Sequence, residues 1–151
     1  METIKATEAL LESLKEIMED SGLNVDRFAE KIECNPSAVR RWLYKLYFPE
    51  PETLIKIATE FHISVDYLFG FSDTKEFVPK TANAGKFYER YTHLKNLRKV
   101  TDYAVAKACA LRRGTVSKWK YVEGSPETTT LLKLAEYFNC SMNFLLGIAT
   151  E

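Results

Sequence analysis

Val25–Lys45 reads VDRFAEKIECNPSAVRRWLYK, and the order of small, apolar and basic residues in it decides the fold class. Phe28, Ala29 and Ile32 are spaced three and four apart, which places them on one face of a short helix. Asn24 stands where a helix N-cap is needed. Glu33–Asn35 form a turn, and Pro36 opens the next helix at a position that has no intrahelical use for an N–H. In PSAVRRWLYK, Val39, Trp42 and Leu43 fall on the inner side, which leaves Ser37, Arg40 and Arg41 facing outward. The segment therefore predicts two short helices crossing closely over Ala29, the second of them basic on its free face.

The same arrangement occurs again. A shift of 77 residues aligns Leu14–Gly70 with Tyr91–Gly147 without a gap. The identities include Ala29/Ala106, Val39/Val116, Trp42/Trp119, Tyr44/Tyr121, Pro49/Pro126, Leu54/Leu131, Ser64/Ser141, Leu68/Leu145 and Gly70/Gly147. Other pairs exchange one apolar residue for another, such as Ile32/Cys109, Cys34/Leu111 and Ile63/Cys140. All three cysteines stand opposite Ile or Leu, so they are expected to act as small buried hydrophobes rather than as ligands or disulfide partners.

Working outward, Leu10, Leu11, Leu14, Ile17 and Met18 mark the apolar face of a first helix ending at Gly22. PEPET (49–53) leads into a fourth helix that buries Leu54, Ile57, Ala58 and Phe61, and Ser64 caps a fifth, VDYLFG. In the second copy the expected helices are Phe87–Lys99, TDYAVAKA capped by Thr101, RRGTVSKWKY, SPETTTLLKLAEYF and SMNFLLG. Between the copies, FSDTKEFVPKTANAGK (71–86) has linker composition, though Phe71, Phe77 and Val78 suit packing against a domain. The expected organisation is a first domain over 1–72, a linker over 73–86 and a second domain over 87–151.

VDRFAEKIECNPSAVRRWLYK and DYAVAKACALRRGTVSKWKYVEG (102–124) together resemble the helix-turn-helix of phage-repressor/Cro/XRE regulators. The carriers are a small residue in the first helix (Ala29, Ala106), an inward aliphatic in the second (Val39, Val116) and a large apolar residue three positions on (Trp42, Trp119). The trailing P-E-T-L-x-K-[IL]-A-x-x-F and S-x-x-x-L-x-G patterns are similar too. The resemblance implies an all-α fold of two lambda-repressor-like five-helix domains in tandem. It also implies binding of double-stranded DNA in the major groove by the third helix of each domain, with Trp42 and Trp119 serving as scaffold. In this family the second helix often begins with a glutamine that meets phosphate. Val25 and Asp102 occupy those positions here, and Asp102 is expected to cap its own helix instead.

The chain has 21 basic and 21 acidic residues, so net charge alone does not advertise a nucleic-acid binder. The distribution is uneven: residues 1–33 carry nine acids against four bases, whereas Pro36–Tyr44 and Arg112–Tyr121 contain no acid at all. Local positive charge is what phosphate binding uses. By the resemblance, base readers are Pro36, Ser37, Arg40 and Arg41 in the first copy, and Arg113, Gly114, Ser117 and Lys118 in the second. Arg112 adds charge, and Tyr44, Lys45, Tyr47, Lys120 and Tyr121 are placed for phosphates. Because the two sets differ, an asymmetric DNA site is expected, or one copy reads while the other clamps or dimerises.

Other classes are bounded by what the sequence lacks. There is no Gly-rich phosphate loop, no HExxH and no nucleophile elbow, and His62 and His93 belong to no repeating constellation, so no enzyme, metal site or cofactor is expected. No apolar run is long enough for a membrane span, and the acidic N-terminus does not resemble a signal peptide, which points to the cytoplasm. The function expected is a transcription regulator, most simply a repressor, whose homodimerisation or regulatory protein partner stays open. The alternative is an accessory factor of antitoxin or antirepressor type, using the same scaffold to bind protein through Tyr47, Phe48 and Tyr88.

Overall fold

A computed structural model of the chain describes residues 2–44, 47–80 and 85–150. Lys45, expected to contact phosphate, lies outside the described residues. The described residues are helical with connecting turns, and their one β feature is an isolated antiparallel bridge between Ile63 and Glu76. The chain divides into two compact units, Met1–Pro79 and Lys80–Glu151.

The first unit contains α1 (Glu2–Ser21), α2 (Val25–Lys31), α3 (Pro36–Tyr44), α4 (Pro51–Phe61) and α5 (Val65–Leu68). Helix α1 buries Ala6, Leu10, Leu14 and Ile17, one residue from each successive turn. It stops at Gly22, whose φ of +67° is a left-handed conformation that a residue without Cβ adopts freely. Helix α2 starts where the Asn24 side chain accepts from Arg27 N at 2.9 Å. Phe28 is fully buried and stacks on Phe61 of α4 at 5.4 Å. Ala29 is also fully buried, and α2 packs on α3. From α3 the core takes Val39, Trp42 and Leu43. Helix α5 is capped by Ser64, and Ser13 of α1 donates to the Leu68 carbonyl at its end.

The second unit contains α6 (Phe87–Arg98), α7 (Asp102–Ala108), α8 (Thr115–Lys118) continuing as a 3₁₀ turn over Trp119–Tyr121, α9 (Thr128–Phe138) and α10 (Met142–Leu145). Its core is more aromatic: Tyr91 is fully buried, with ring contacts to Phe87, Trp119 and Phe138. Helices α2, α4 and α5 reappear 77 positions later as α7, α9 and α10 with the same lengths. The left-handed residues follow the same shift, Glu33 and Ala110, His62 and Asn139, Gly70 and Gly147. One hydrogen bond shifts as well but changes donor: Arg90, opposite Ser13, donates through Nε to the Leu145 carbonyl.

Several expectations need correction. The third helix of the second unit does not begin at Arg112. Gly114 has a φ of +85°, and Thr115 N closes a turn onto the Arg112 carbonyl, so the helix starts at Thr115. Helix α9 starts at Thr128 rather than Ser125, with Glu127 as its extended N-cap. Cys109 is buried, but Cys34 and Cys140 are only half-buried, and all three are free thiols. Burial raises the pKa of Cys34 and Cys109, with Lys56 and Lys133 opposing it respectively. The stretch of linker composition is partly tied down: Ser64 N bonds to Lys75 O, Phe77 N to His62 O, and Lys80 N to Ile148 O.

Candidate nucleic-acid interface

In the first unit the candidate surface is the outer side of α3. Because Val39 and Trp42 lock the helix inward, the intervening positions turn outward, and Ser37, Arg40 and Arg41 are exposed. Pro36 is half-buried at the helix start and presents little beyond its ring edge. Tyr44 is 72% exposed and Tyr47 61%, both well above what an aromatic ring needs to be reachable. Of the three aromatics expected in the protein-binding alternative, Tyr47 is therefore exposed, whereas Phe48 and Tyr88 are half-buried and Phe48 lies edge-on against Phe69.

Asp26 was not anticipated as part of this surface. Its carboxylate accepts from Arg40 at 3.1 Å, joining α2 to α3 through a pair whose side chains are 52% (Arg40) and 68% (Asp26) exposed. An exposed pair of this kind holds a guanidinium in position at little net energy. Arg40 thus sits oriented through one Nη2–Oδ1 contact, which leaves its other guanidinium donors out of the pair. Nothing local in the sequence signals this pair, since its partners are fourteen residues apart. Arg41, by contrast, forms no ion pair among the described residues.

In the second unit, Arg112 and Arg113 occupy the turn ahead of α8, and Gly114, Ser117, Lys118, Lys120 and Tyr121 follow through the helix and the 3₁₀ turn. All seven are exposed, Tyr121 at 81%. The Ser117 hydroxyl donates back to the Gly114 carbonyl at 3.0 Å, so its donor is already used. The four basic side chains form no ion pair among the described residues.

Asp102 does not cap α7; the Thr101 hydroxyl does, accepting from Ala104 N. Asp102 instead accepts from the Tyr91 hydroxyl at 2.7 Å and from Lys95 Nζ at 2.8 Å. Partial burial alone would raise its pKa, but the Lys95 ammonium and the Tyr91 hydroxyl outweigh this and hold it below its ordinary value. Tyr91 is pushed the other way, by burial first and then by its bond to Asp102, so its hydroxyl stays protonated. Asp102 is thus neutralised within its own unit by Lys95.

Among the described residues no helix is long and apolar enough to cross a membrane, and no group of His, Cys, Asp and Glu could hold a metal ion. No curated protein and no solved structure matched the chain. Residues 14–68, from the middle of α1 to the end of α5, match the helix-turn-helix family model, a family of DNA-binding regulatory domains.

Proposed function

We propose that the chain is a sequence-specific, duplex-DNA-binding transcriptional regulator of the cytoplasm, acting as a repressor by occupying its site. The observation that carries this reading is the geometry of α3. Its inner residues Val39 and Trp42 are buried while Ser37, Arg40, Arg41 and Tyr44 face outward on a helix without a single acid. A major groove about 12 Å wide admits one such helix. Arg40 is then suited to take guanine O6 and N7 through two parallel hydrogen bonds, with Arg41 beside it as a second base reader, Ser37 to serve as an adaptable partner, and Tyr44 to meet phosphate.

In this reading residues 80–151 form a second helix-turn-helix. The support is the matched lengths of α7, α9 and α10, the repeated left-handed positions, and the exposed Arg112, Arg113, Lys118 and Lys120. Two unlike third helices in one chain favour an asymmetric DNA site over a palindrome read by a single copy.

The test is selection of duplexes from a random library, followed by anisotropy of the enriched sequence across a salt series. Wild type is compared with Arg40→Ala/Arg41→Ala and with Arg112→Ala/Arg113→Ala. A defined motif, steep weakening with salt, and loss in at least one double variant are expected. Failure to enrich any motif, with weak binding that neither double variant changes, overturns the regulator reading.

A further inference from the structure

The neutral chain divides, at the boundary between its compact units, into two halves of opposite charge. Residues 1–79 carry fifteen acids and nine bases, a net of −6, and residues 80–151 carry six acids and twelve bases, a net of +6. Pairing sharpens the contrast. In the first unit Arg27, Lys31, Arg40 and Lys75 sit against carboxylates, and of the two arginines on α3 only Arg41 forms no ion pair among the described residues. In the second, Lys86 and Lys95 are so paired, while Arg112, Arg113, Lys118 and Lys120 form no ion pair among the described residues. Position by position, Asp26, which holds Arg40, is replaced in the second unit by Tyr103, 75% exposed, and Arg40 itself by Ser117.

Backbone geometry separates the units in the same sense. Helix α3 runs nine residues and presents one continuous outer face, as base reading requires. Helix α8 runs four residues before tightening into a 3₁₀ turn, and Arg112 and Arg113 lie ahead of it on a turn around Gly114. Arginines on a turn, with Lys118 ending a four-residue helix and Lys120 in a 3₁₀ segment, suit phosphates, which are reached from many angles, better than base edges, which are not.

We infer that the two units divide the work on DNA: residues 80–151 are a sequence-independent phosphate clamp supplying most of the affinity, and residues 1–79 supply the discrimination between sequences. An acidic reader on its own is repelled by the phosphate backbone, and the basic unit offsets that repulsion in cis. This division rests on the DNA-binding reading above.

The experiment measures full-length protein on the selected duplex and on a scrambled duplex of equal length and composition, each between 50 and 400 mM salt. Arg112→Ala/Arg113→Ala and Lys118→Ala/Lys120→Ala should weaken both duplexes by the same factor, about tenfold or more at low salt. Each should also flatten the slope of log affinity against log salt by about 1 to 2, because each phosphate contact contributes about 0.9. Arg40→Ala should instead lower the ratio of selected to scrambled affinity about tenfold and change the slope by less than about 1. The division is overturned if either second-unit variant changes the ratio while leaving scrambled binding intact, or if Arg40→Ala flattens the slope as much as they do. Wild type that binds neither duplex at 50 mM salt overturns the DNA reading itself, a result distinct from both. Thermal unfolding of each variant confirms that these exposed substitutions leave the fold in place.

Discussion

Asp26→Asn is predicted to weaken the fold slightly while strengthening binding to DNA. In the unbound chain the Asp26 carboxylate holds Arg40 at 3.1 Å, with roughly half to two thirds of both side chains in water. At that exposure the pair is worth about 0.2–1 kcal/mol, which is lost if Arg40 leaves Asp26 in turning to a base. Asparagine keeps the size and removes the charge, so selected-duplex affinity should rise by about 1.5- to 5-fold at 0.1 M salt. Asp26 also lies in the first turn of α2, where a negative charge adds about 0.3–1 kcal/mol against the helix dipole. Urea unfolding should therefore show a loss of about 0.5–2 kcal/mol, the sum of the pair and the dipole contributions. The decisive control is Arg40→Ala: with the guanidinium gone, Asp26→Asn should bring little further gain. A gain that survives in the Arg40→Ala background would show that Asp26 acts through bulk charge. Weaker binding by Asp26→Asn alone would show that the ion pair delivers Arg40 to the groove rather than withholding it. Either result refutes the reasoning.

Four further outcomes follow from the packing. Tyr91→Phe keeps a fully buried ring and loses the 2.7 Å bond to Asp102, so urea unfolding followed by Trp119 fluorescence in a Trp42→Phe background should show a loss of about 1 kcal/mol. Tyr91→Ala, which empties the aromatic cluster, should cost about 3–5 kcal/mol in the same assay. Because the folded pKa of Asp102 is depressed, its contribution is present above the unfolded carboxylate value and lost as pH falls through the folded one. The stability gap between wild type and Asp102→Asn, measured by unfolding at a series of pH values, should close as the medium becomes strongly acidic. Ala29→Leu forces three extra carbons into a fully buried site on the helix packed against α3, and should lower unfolding free energy by about 1–3 kcal/mol and reduce DNA binding together with it.

Much of the fold was legible because its signals are local. Asn24, Ser64 and Thr101 are short polar side chains placed before apolar periodicity, and each accepts the backbone N–H that an N-cap should. Val39, Trp42, Val116 and Trp119 are buried as their spacing requires. The start of α8 was misread although a local signal existed. Gly114 stands opposite Ser37, and a glycine amid RRGTV favours a left-handed turn over a helix interior. The ion pair of Asp26 with Arg40, the cluster of Tyr91, Lys95 and Asp102, and the Arg90 bond to the Leu145 carbonyl had no such signal. Each joins groups on different helices, whose distances are set by how those helices pack rather than by spacing within one helix, so each appeared only in three dimensions. Among the candidate contacts, the structure brings Ser37, Arg40, Arg41 and Tyr44 onto one helix but spreads Arg112–Tyr121 over a turn, a helix and a 3₁₀ segment.

The opposite charges of the two units also govern how the molecule behaves with no DNA present. A protein with an isoelectric point near 6.8 is expected to pass weakly retained through ion-exchange resins at neutral pH. This one has a unit of net charge −6 to meet an anion exchanger and a unit of net charge +6 to meet a cation exchanger. At low ionic strength both resins should hold it, and both should release it over the range of salt in which charges a Debye length apart cease to act on one another. A purification designed on the average charge would therefore be designed for a surface that neither half presents.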